Sequence, residues 1–210
     1  MKDKELERLT KLKQMENELH NQGIKYICGI DEAGRGPLAG PVVVASVVMP
    51  EDSMIEGVND SKKVSEKKRE MLYEKIIEEA ISYSVAIISE KEIDEINILN
   101  ATKHGLTTAI SELEVKPDLI LVDALEKINT LGIPYKSIIK GDAIAYSISA
   151  ASIIAKVTRD RIMRQMDEIY PEYGFAAHKG YGTAKHIAAI KEYGLCEIHR
   201  RSFTKNFVKI

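Results

Sequence analysis

Apolar and polar residues change period several times along the chain, and each change marks an element. Between residues 4 and 21, Leu6, Leu9, Leu12 and Met15 recur at every third position and Leu19 follows, with charged residues between. That stripe predicts one exposed helix, a helical N-terminal arm packed on the rest of the chain or loosely tethered to it. A small extra substrate-gripping element is the alternative. Ile24, Tyr26, Ile27, Cys28 and Ile30 form a β-branched, aromatic run, and Val42, Val43, Val44, Val47 and Val48 form another. Both predict buried strands. Pro50 to Asp60 is a turn-rich loop. Ser65 then has the look of an N-cap, and Met71, Leu72, Ile76 and Ile77 give a helical stripe. Tyr83 to Ile88 alternates as a strand does, Ser89 caps a short helix to Ile96, and Leu99 to Leu113 is a further helix. The run DLILV predicts a strand ending at Asp123, and YKSII after Gly132 an edge strand. Gly141 opens a long helix, about Asp142 to Ile169, whose Ala and Ser residues suit close packing on a sheet. A loop with Pro171, Gly174 and Gly180 leads to a helix from Thr183 to Tyr193, with Thr183 as cap and Gly194 as stop. The tail CEIHRRSFTKNFVKI is basic and partly apolar. This order predicts an α/β layer fold with a mixed sheet.

Composition narrows the class without naming a function. With 210 residues, 44% hydrophobic and 30% charged, the chain fits one core-burying domain with at most a small appendage. No apolar run approaches the ~18 residues a membrane helix needs. The charged N-terminus is not a signal peptide, and two lone cysteines, Cys28 and Cys196, make neither a disulfide framework nor a metal spacing. A cytoplasmic location is expected. A net charge of −2 neither supports nor excludes nucleic acid as a partner, because a basic face matters more than the sum.

Acidic residues placed beside apolar runs change the picture. Asp31 and Glu32 come directly after the first run, Asp123 ends another, and Asp142 follows Gly141. In open α/β sheets ligand sites lie beyond the carboxyl ends of strands, and adjacent strands would bring Asp31 and Asp123 together. Carboxylates sharing a site repel one another and hold their protons more tightly. A hard divalent cation such as Mg²⁺ or Mn²⁺ removes that repulsion and prefers carboxylate oxygens. Four acidic groups without His or Cys therefore suggest a hard-cation site for one ion or two. Ordinary roles stay open at this point: Asp31 and Asp123 could begin turns, Glu32 could pair with Arg35, and Asp142 could cap a helix.

The segments IDEAGRGPLAGPVV, DSKKVSEKKRE, LVDAL, KGDAIAYSISAASIIAKVTRDR, HKGYGTAKH and HRRSF together resemble the ribonuclease HII family, the type 2 ribonucleases H. They stand in that family's order and span residues 24 to 204. Ribonuclease HIII shares the first motif but differs where this chain has Arg35, so the intact Gly-Arg-Gly favours HII. The resemblance implies a ribonuclease H-like mixed sheet flanked by helices, with a helical C-terminal part. It divides the chain into an arm, 1–22, and a catalytic domain, 23–210. It implies cleavage of the RNA strand of RNA–DNA hybrids and at single ribonucleotides embedded in duplex DNA, leaving 3′-hydroxyl and 5′-phosphate ends. Asp31, Glu32, Asp123 and Asp142 would be the catalytic metal ligands, taking Mn²⁺ or Mg²⁺, two ions once substrate is bound. The expected partner is the hybrid or a ribonucleotide-containing duplex, met by a monomer. A ribonuclease HIII-like nuclease and a non-catalytic hybrid-binding protein are the rivals.

A ribonuclease that rejects DNA must contact the 2′-hydroxyl. By the same resemblance the backbone of Gly34, Arg35 and Gly36 makes that contact, Tyr181 stacks on a neighbouring sugar, and Ser61 with Lys62 lies near the substrate. Three basic clusters could grip phosphate or be solvated helix faces: Lys62, Lys63, Lys67, Lys68 and Arg69; Lys156, Arg159, Arg161 and Arg164; and Lys179, Lys185, His199, Arg200 and Arg201. His178 is expected to make a structural hydrogen bond; ordering the loop before Tyr181 or assisting product release are the alternatives.

Overall fold

The computed structural model describes residues 2–206. In chain order its elements are α1 (Asp3–Leu12), α2 (Gln14–Asn21), β1 (Ile27–Ala33), β2 (Val42–Val48), α3 (Glu66–Glu79), β3 (Ser82–Ile88), α4 (Glu90–Ser111), β4 (Leu119–Asp123), β5 (Tyr135–Ile138), α5 (Gly141–Ile144), α6 (Tyr146–Ile169), α7 (Phe175–His178), α8 (Ala184–Tyr193) and α9 (Arg201–Thr204). The strands form one mixed sheet in the order β3-β2-β1-β4-β5. β1, β2 and β3 pair antiparallel, whereas β4 and β5 run parallel to β1.

Every residue of β2 is buried, so alternation serves two cores. Val43, Ala45 and Val47 pack with residues of α1, α3 and α6 on one face. Val44 and Val48 pack with Leu106, Ala109 and Ile110 of α4 on the other. The sheet is thus flanked by helices on both sides, as expected. The Ala- and Ser-rich start of α6 lies directly over β1: a Cβ on Gly29 would come within 2.1 Å of the Ser147 backbone. Among the described residues no helix is long and apolar enough to cross a membrane.

Several boundaries differ from the sequence expectation, each for a tertiary reason. The single helix expected over 4–21 is two helices joined at Lys13. Lys13 is buried and donates through Nζ to the carbonyls of Glu51 and Ser53. The arm is not an exposed helix, since Leu9, Leu12 and Leu19 are buried in the cores. The long helix expected from Asp142 is broken at Ala145 (φ −128°, ψ 128°). There the buried Glu16 carboxylate accepts the N–H groups of Tyr146 (3.1 Å) and Ser147 (2.7 Å), satisfying the start of α6 from outside the helix. The loop 170–181 contains the short α7. β1 continues through Asp31 and Glu32, which pair with Ala45 and Val44 of β2, so both lie within the strand rather than beyond its end. Other punctuation agrees: Asn97 interrupts α4 (φ 65°), and Ser89 and Thr183 accept from the N–H groups of Glu92 and His186. The chain beyond Asn206, including the last residues of the basic tail, lies outside the described residues.

Candidate active site

Parallel pairing assembles the acidic centre. Ile30 is in register with Val122, so the next residues, Asp31 and Asp123, are neighbours across β1 and β4. After β5 the chain turns at Lys140 (φ 59°) and returns over the end of β4. The Gly141 N–H then donates to Asp123 Oδ1 at 2.8 Å, bringing the buried Asp142 beside it. A side chain at Gly141 would meet Ile148 Cδ1 at 2.6 Å, so glycine permits the close return. The segment 60–62 closes the group. Asp60 accepts the Lys62 N–H (3.0 Å), Ser61 Oγ meets Ser152 Oγ (2.8 Å), and Lys62 Nζ donates to Asp142 Oδ2 (3.1 Å).

Successive strand residues point to opposite faces. Gly29 abuts α6, so Asp31 faces α6 while Glu32 takes the other side and accepts from Arg35 Nη1 at 3.2 Å. Burial pushes the pKa of Asp31 well up, reinforced by the charges of Glu32 and Asp123, with the Ser152 hydroxyl working the other way. Burial also raises Glu32, although Arg35 draws it down. Asp123 is raised by burial and then by the Asp142 charge, against the Gly141 amide. Burial disfavours the Lys62 ammonium, but Asp142, Asp60 and Asp31 outweigh it and its pKa is raised. An acidic centre short of positive charge therefore borrows Lys62 and Arg35. Among the described residues no three His, Cys, Asp or Glu side chains are gathered in a set that could hold an ion as they stand. The hard-oxygen donor set and its excess negative charge nonetheless fit a divalent cation, and the two basic side chains occupy the positions it would neutralise.

The glycine loop borders this centre. Gly34 has φ 101°, and a Cβ there would meet Arg159 Nε at 2.1 Å. The Gly36 position is open, its nearest neighbour being Tyr181 Cε1 at 3.8 Å. Tyr181 is exposed, with the Arg159 guanidinium 5.9 Å from its ring centre. Leu38 N–H donates to Gly180 O (2.8 Å), tying the Gly-Arg-Gly loop to the Tyr181 loop. His178 makes the structural bonds expected of it: its Nε2 lies 2.8 Å from Tyr173 O, and its Nδ1 accepts from Gly180 N–H.

The basic clusters divide. Lys62, Lys63, Lys67 and Lys68 are exposed, as are Lys185 and Arg201. The second cluster is neither a solvated face nor a free phosphate grip. Arg161 and Arg164 pair with Glu66, Glu70 and Glu74 of α3, and Lys156 pairs with Asp160. Arg159 is fully buried and donates to the carbonyls of Ala39, Pro41 and Lys179. In the third cluster Arg200 is also fully buried, and His199 meets His186 ring to ring (Nε2 to Nε2, 3.1 Å). Sequence reasoning gave neither buried arginine its inward role. The only signal was their setting, within the small-residue helix and the HRRSF segment.

The ribonuclease HII family model matches residues 28–206. A ribonuclease HII from Ruminiclostridium cellulolyticum is 58% identical over 99% of this chain and 81% of its own. Among solved structures, ribonuclease H2 from Pyrococcus horikoshii matches with TM-score 0.73 and 31% identity, over 88% of this chain and all of the other. A ribonuclease HIII (Bst) in complex with Mn²⁺ matches with TM-score 0.60 and 18% identity, over 83% of this chain and 65% of its own, which shows a shared fold.

These matches, on a mixed α/β sheet, define the class as a metal-dependent phosphodiester hydrolase. The chain belongs to the ribonuclease HII family. It is an endoribonuclease hydrolysing RNA in RNA–DNA hybrids, which sets aside the non-catalytic rival, while the family match sets aside the ribonuclease HIII-like one.

Proposed function

We propose that Asp31, Glu32, Asp123 and Asp142 are the catalytic metal ligands, and that Gly34 to Gly36 with Tyr181 select the sugar. The observation that carries this is the juxtaposition of Asp31 and Asp123 by the β1–β4 register, with Asp142 returned over them by the Gly141 bond. Mn²⁺ or Mg²⁺, two ions in the substrate complex, suits the all-oxygen donor set. Bound there, the ions supply acidification of the attacking water and charge stabilisation at the phosphate. Glu32 and Asp142 would exchange Arg35 and Lys62 for the ions by side-chain rotation. The released guanidinium and ammonium, both at the surface, are then free to meet phosphate oxygens. Ser61 fixes the Lys62 backbone through Ser152 and keeps that reach short. The open face of Gly36 lets a sugar approach the backbone, where a 2′-hydroxyl can both accept and donate. This reading extends the activity to single ribonucleotides in duplex DNA, with 3′-hydroxyl and 5′-phosphate products, performed by a cytoplasmic monomer.

Asp123→Asn tests the ligand assignment. It preserves shape and the acceptor for Gly141 N–H while removing the charge. Cleavage of a hybrid in Mn²⁺ or Mg²⁺ should fall by at least about a thousandfold, with a melting temperature no lower than wild type. Unchanged turnover would refute the role of Asp123.

A further inference from the structure

Arg200 is a charged side chain with no surface, and it meets no carboxylate among the described residues. All of its hydrogen bonds go to carbonyls of the glycine loop and its exit: Gly34 (Nη2, 2.6 Å), Arg35 (Nη1, 3.0 Å), Pro37 (Nη1, 2.9 Å) and Gly40 (Nε, 2.9 Å). The Phe203 ring lies 5.2 Å from the guanidinium carbon. Its own backbone is fixed too, since Arg200 N–H donates to Leu38 O and Gly40 N–H to Ile198 O, both at 2.8 Å. Asp94 accepts the N–H groups of Arg201 and Ser202, fastening the start of α9 to α4. Burial and the neighbouring Arg159 lower the Arg200 pKa to about 9, a sign of what holding this cation inside costs.

Peptide geometry gives these bonds a direction. In a trans peptide the carbonyl of one residue and the N–H of the next point oppositely, and no described peptide bond is cis. Drawing the carbonyls of Gly34 and Arg35 inward therefore turns the N–H groups of Arg35 and Gly36 outward. Among the described residues neither amide has an acceptor. They emerge where the Gly36 face is open and the Tyr181 ring stands 3.8 Å from its Cβ position.

We propose that Arg200 is the positioning residue of sugar recognition: its fork holds the Arg35 and Gly36 amides aimed at the 2′-oxygen of the ribonucleotide. This rests on the assignment of Gly34 to Gly36 as the sugar-reading loop. A lysine has one ammonium where Arg200 has a planar fork of donors, so Arg200→Lys keeps a buried cation but cannot hold carbonyls on separate residues at once.

The test is metal-free binding, by fluorescence anisotropy in EDTA, to a DNA duplex with one ribonucleotide and to the same duplex all in DNA. Melting temperature is measured alongside. For folded Arg200→Lys the ratio of the two affinities should fall about tenfold, from weakened ribonucleotide binding, as expected for one misaimed hydrogen bond. A mere loss of stability would not move that ratio. If wild type binds both duplexes equally, the sugar-reading assignment itself fails. If wild type discriminates and folded Arg200→Lys discriminates equally, the assignment stands and the role of Arg200 is overturned. Should the variant not fold, wild-type ¹⁵N–¹H spectra decide. The Arg200 Nε–H, Arg35 and Gly36 signals should all move with the ribonucleotide duplex and not with DNA. Movement of the two amides without Arg200 would overturn the proposal.

Discussion

Gly34 and Gly36 flank the same arginine, yet their backbones need glycine for different reasons. Gly34 sits at φ 101° with Arg159 packed where a side chain would begin. Gly34→Ala should therefore cost about 2–4 kcal/mol from left-handed strain and displacement of a buried arginine. Gly36 has neither the positive φ nor the crowding, and a methyl group would make ordinary contact with Tyr181. Gly36→Ala should change stability by less than about 1 kcal/mol and yet weaken binding of a ribonucleotide-containing duplex about tenfold, because the methyl occupies the sugar's approach. Thermal melts and anisotropy on both variants check this; a Gly36→Ala protein that binds normally would leave that glycine without a functional reason. The sequence makes both residues visible as one Gly-Arg-Gly hinge. It cannot separate them, because the difference lies in Arg159, more than a hundred residues away.

At the scale of elements, boundaries set by local chemistry were legible and those set at a distance were not. Thr183 and Gly194 bracket α8, Ser89 opens α4, and the positive φ of Asn97 falls in the gap left between two expected helices. The break before α6 had no local sign, since Ala145 and Tyr146 suit a helix well. It follows from Glu16, whose carboxylate reaches across from α2. The arm thus supports the site it does not enter, because Asp142 lies on the short α5 just before that break. Glu16→Ala would leave two amides of α6 unpaired and should cost about 2–4 kcal/mol. Catalysis should drop as well, as the α5–α6 joint loosens around Asp142. Hydrogen exchange at Tyr146 and Ser147, measured with turnover, checks this. Glu16→Gln, which keeps one acceptor, should fall between; full protection in Glu16→Ala would show that α6 does not depend on the arm.

Over the whole molecule, the acidic centre is a place where stability is given up. The strands themselves were readable because each carries its own apolar run, and Asp31 and Asp123 were expected to meet if their strands lay side by side, whereas the order of strands in the sheet was not readable. The degree of their burial was not, because α6 supplies it. Burial raises the pKa of Asp31, Glu32 and Asp123, so the folded chain holds protons that the unfolded chain has released. With more protons bound in the folded state, stability falls as pH rises from the ordinary carboxylate range through the raised values. Glu5, held down to about 2 by Arg8, and Glu70, held low by Arg164 and Arg161 against its own burial, act in the opposite sense, losing their contribution as pH falls. Comparing two proteins that differ only at Asp31 isolates the centre. Asp31→Asn removes the buried charge but keeps the Oδ1 acceptor for Glu32 N–H. At pH 8 in EDTA the variant should melt above wild type, by about 2–4 °C for each kcal/mol of relieved charge burial. The gain should shrink as pH approaches 4, where the wild-type group is itself protonated in the fold. Adding Mn²⁺ should raise the wild-type melting temperature and move the variant's much less, while cleavage by the variant is lost. If Asp31→Asn melts no higher than wild type at pH 8, or gains equally from the metal, Asp31 carries no unrelieved charge there and the ligand assignment loses its physical basis.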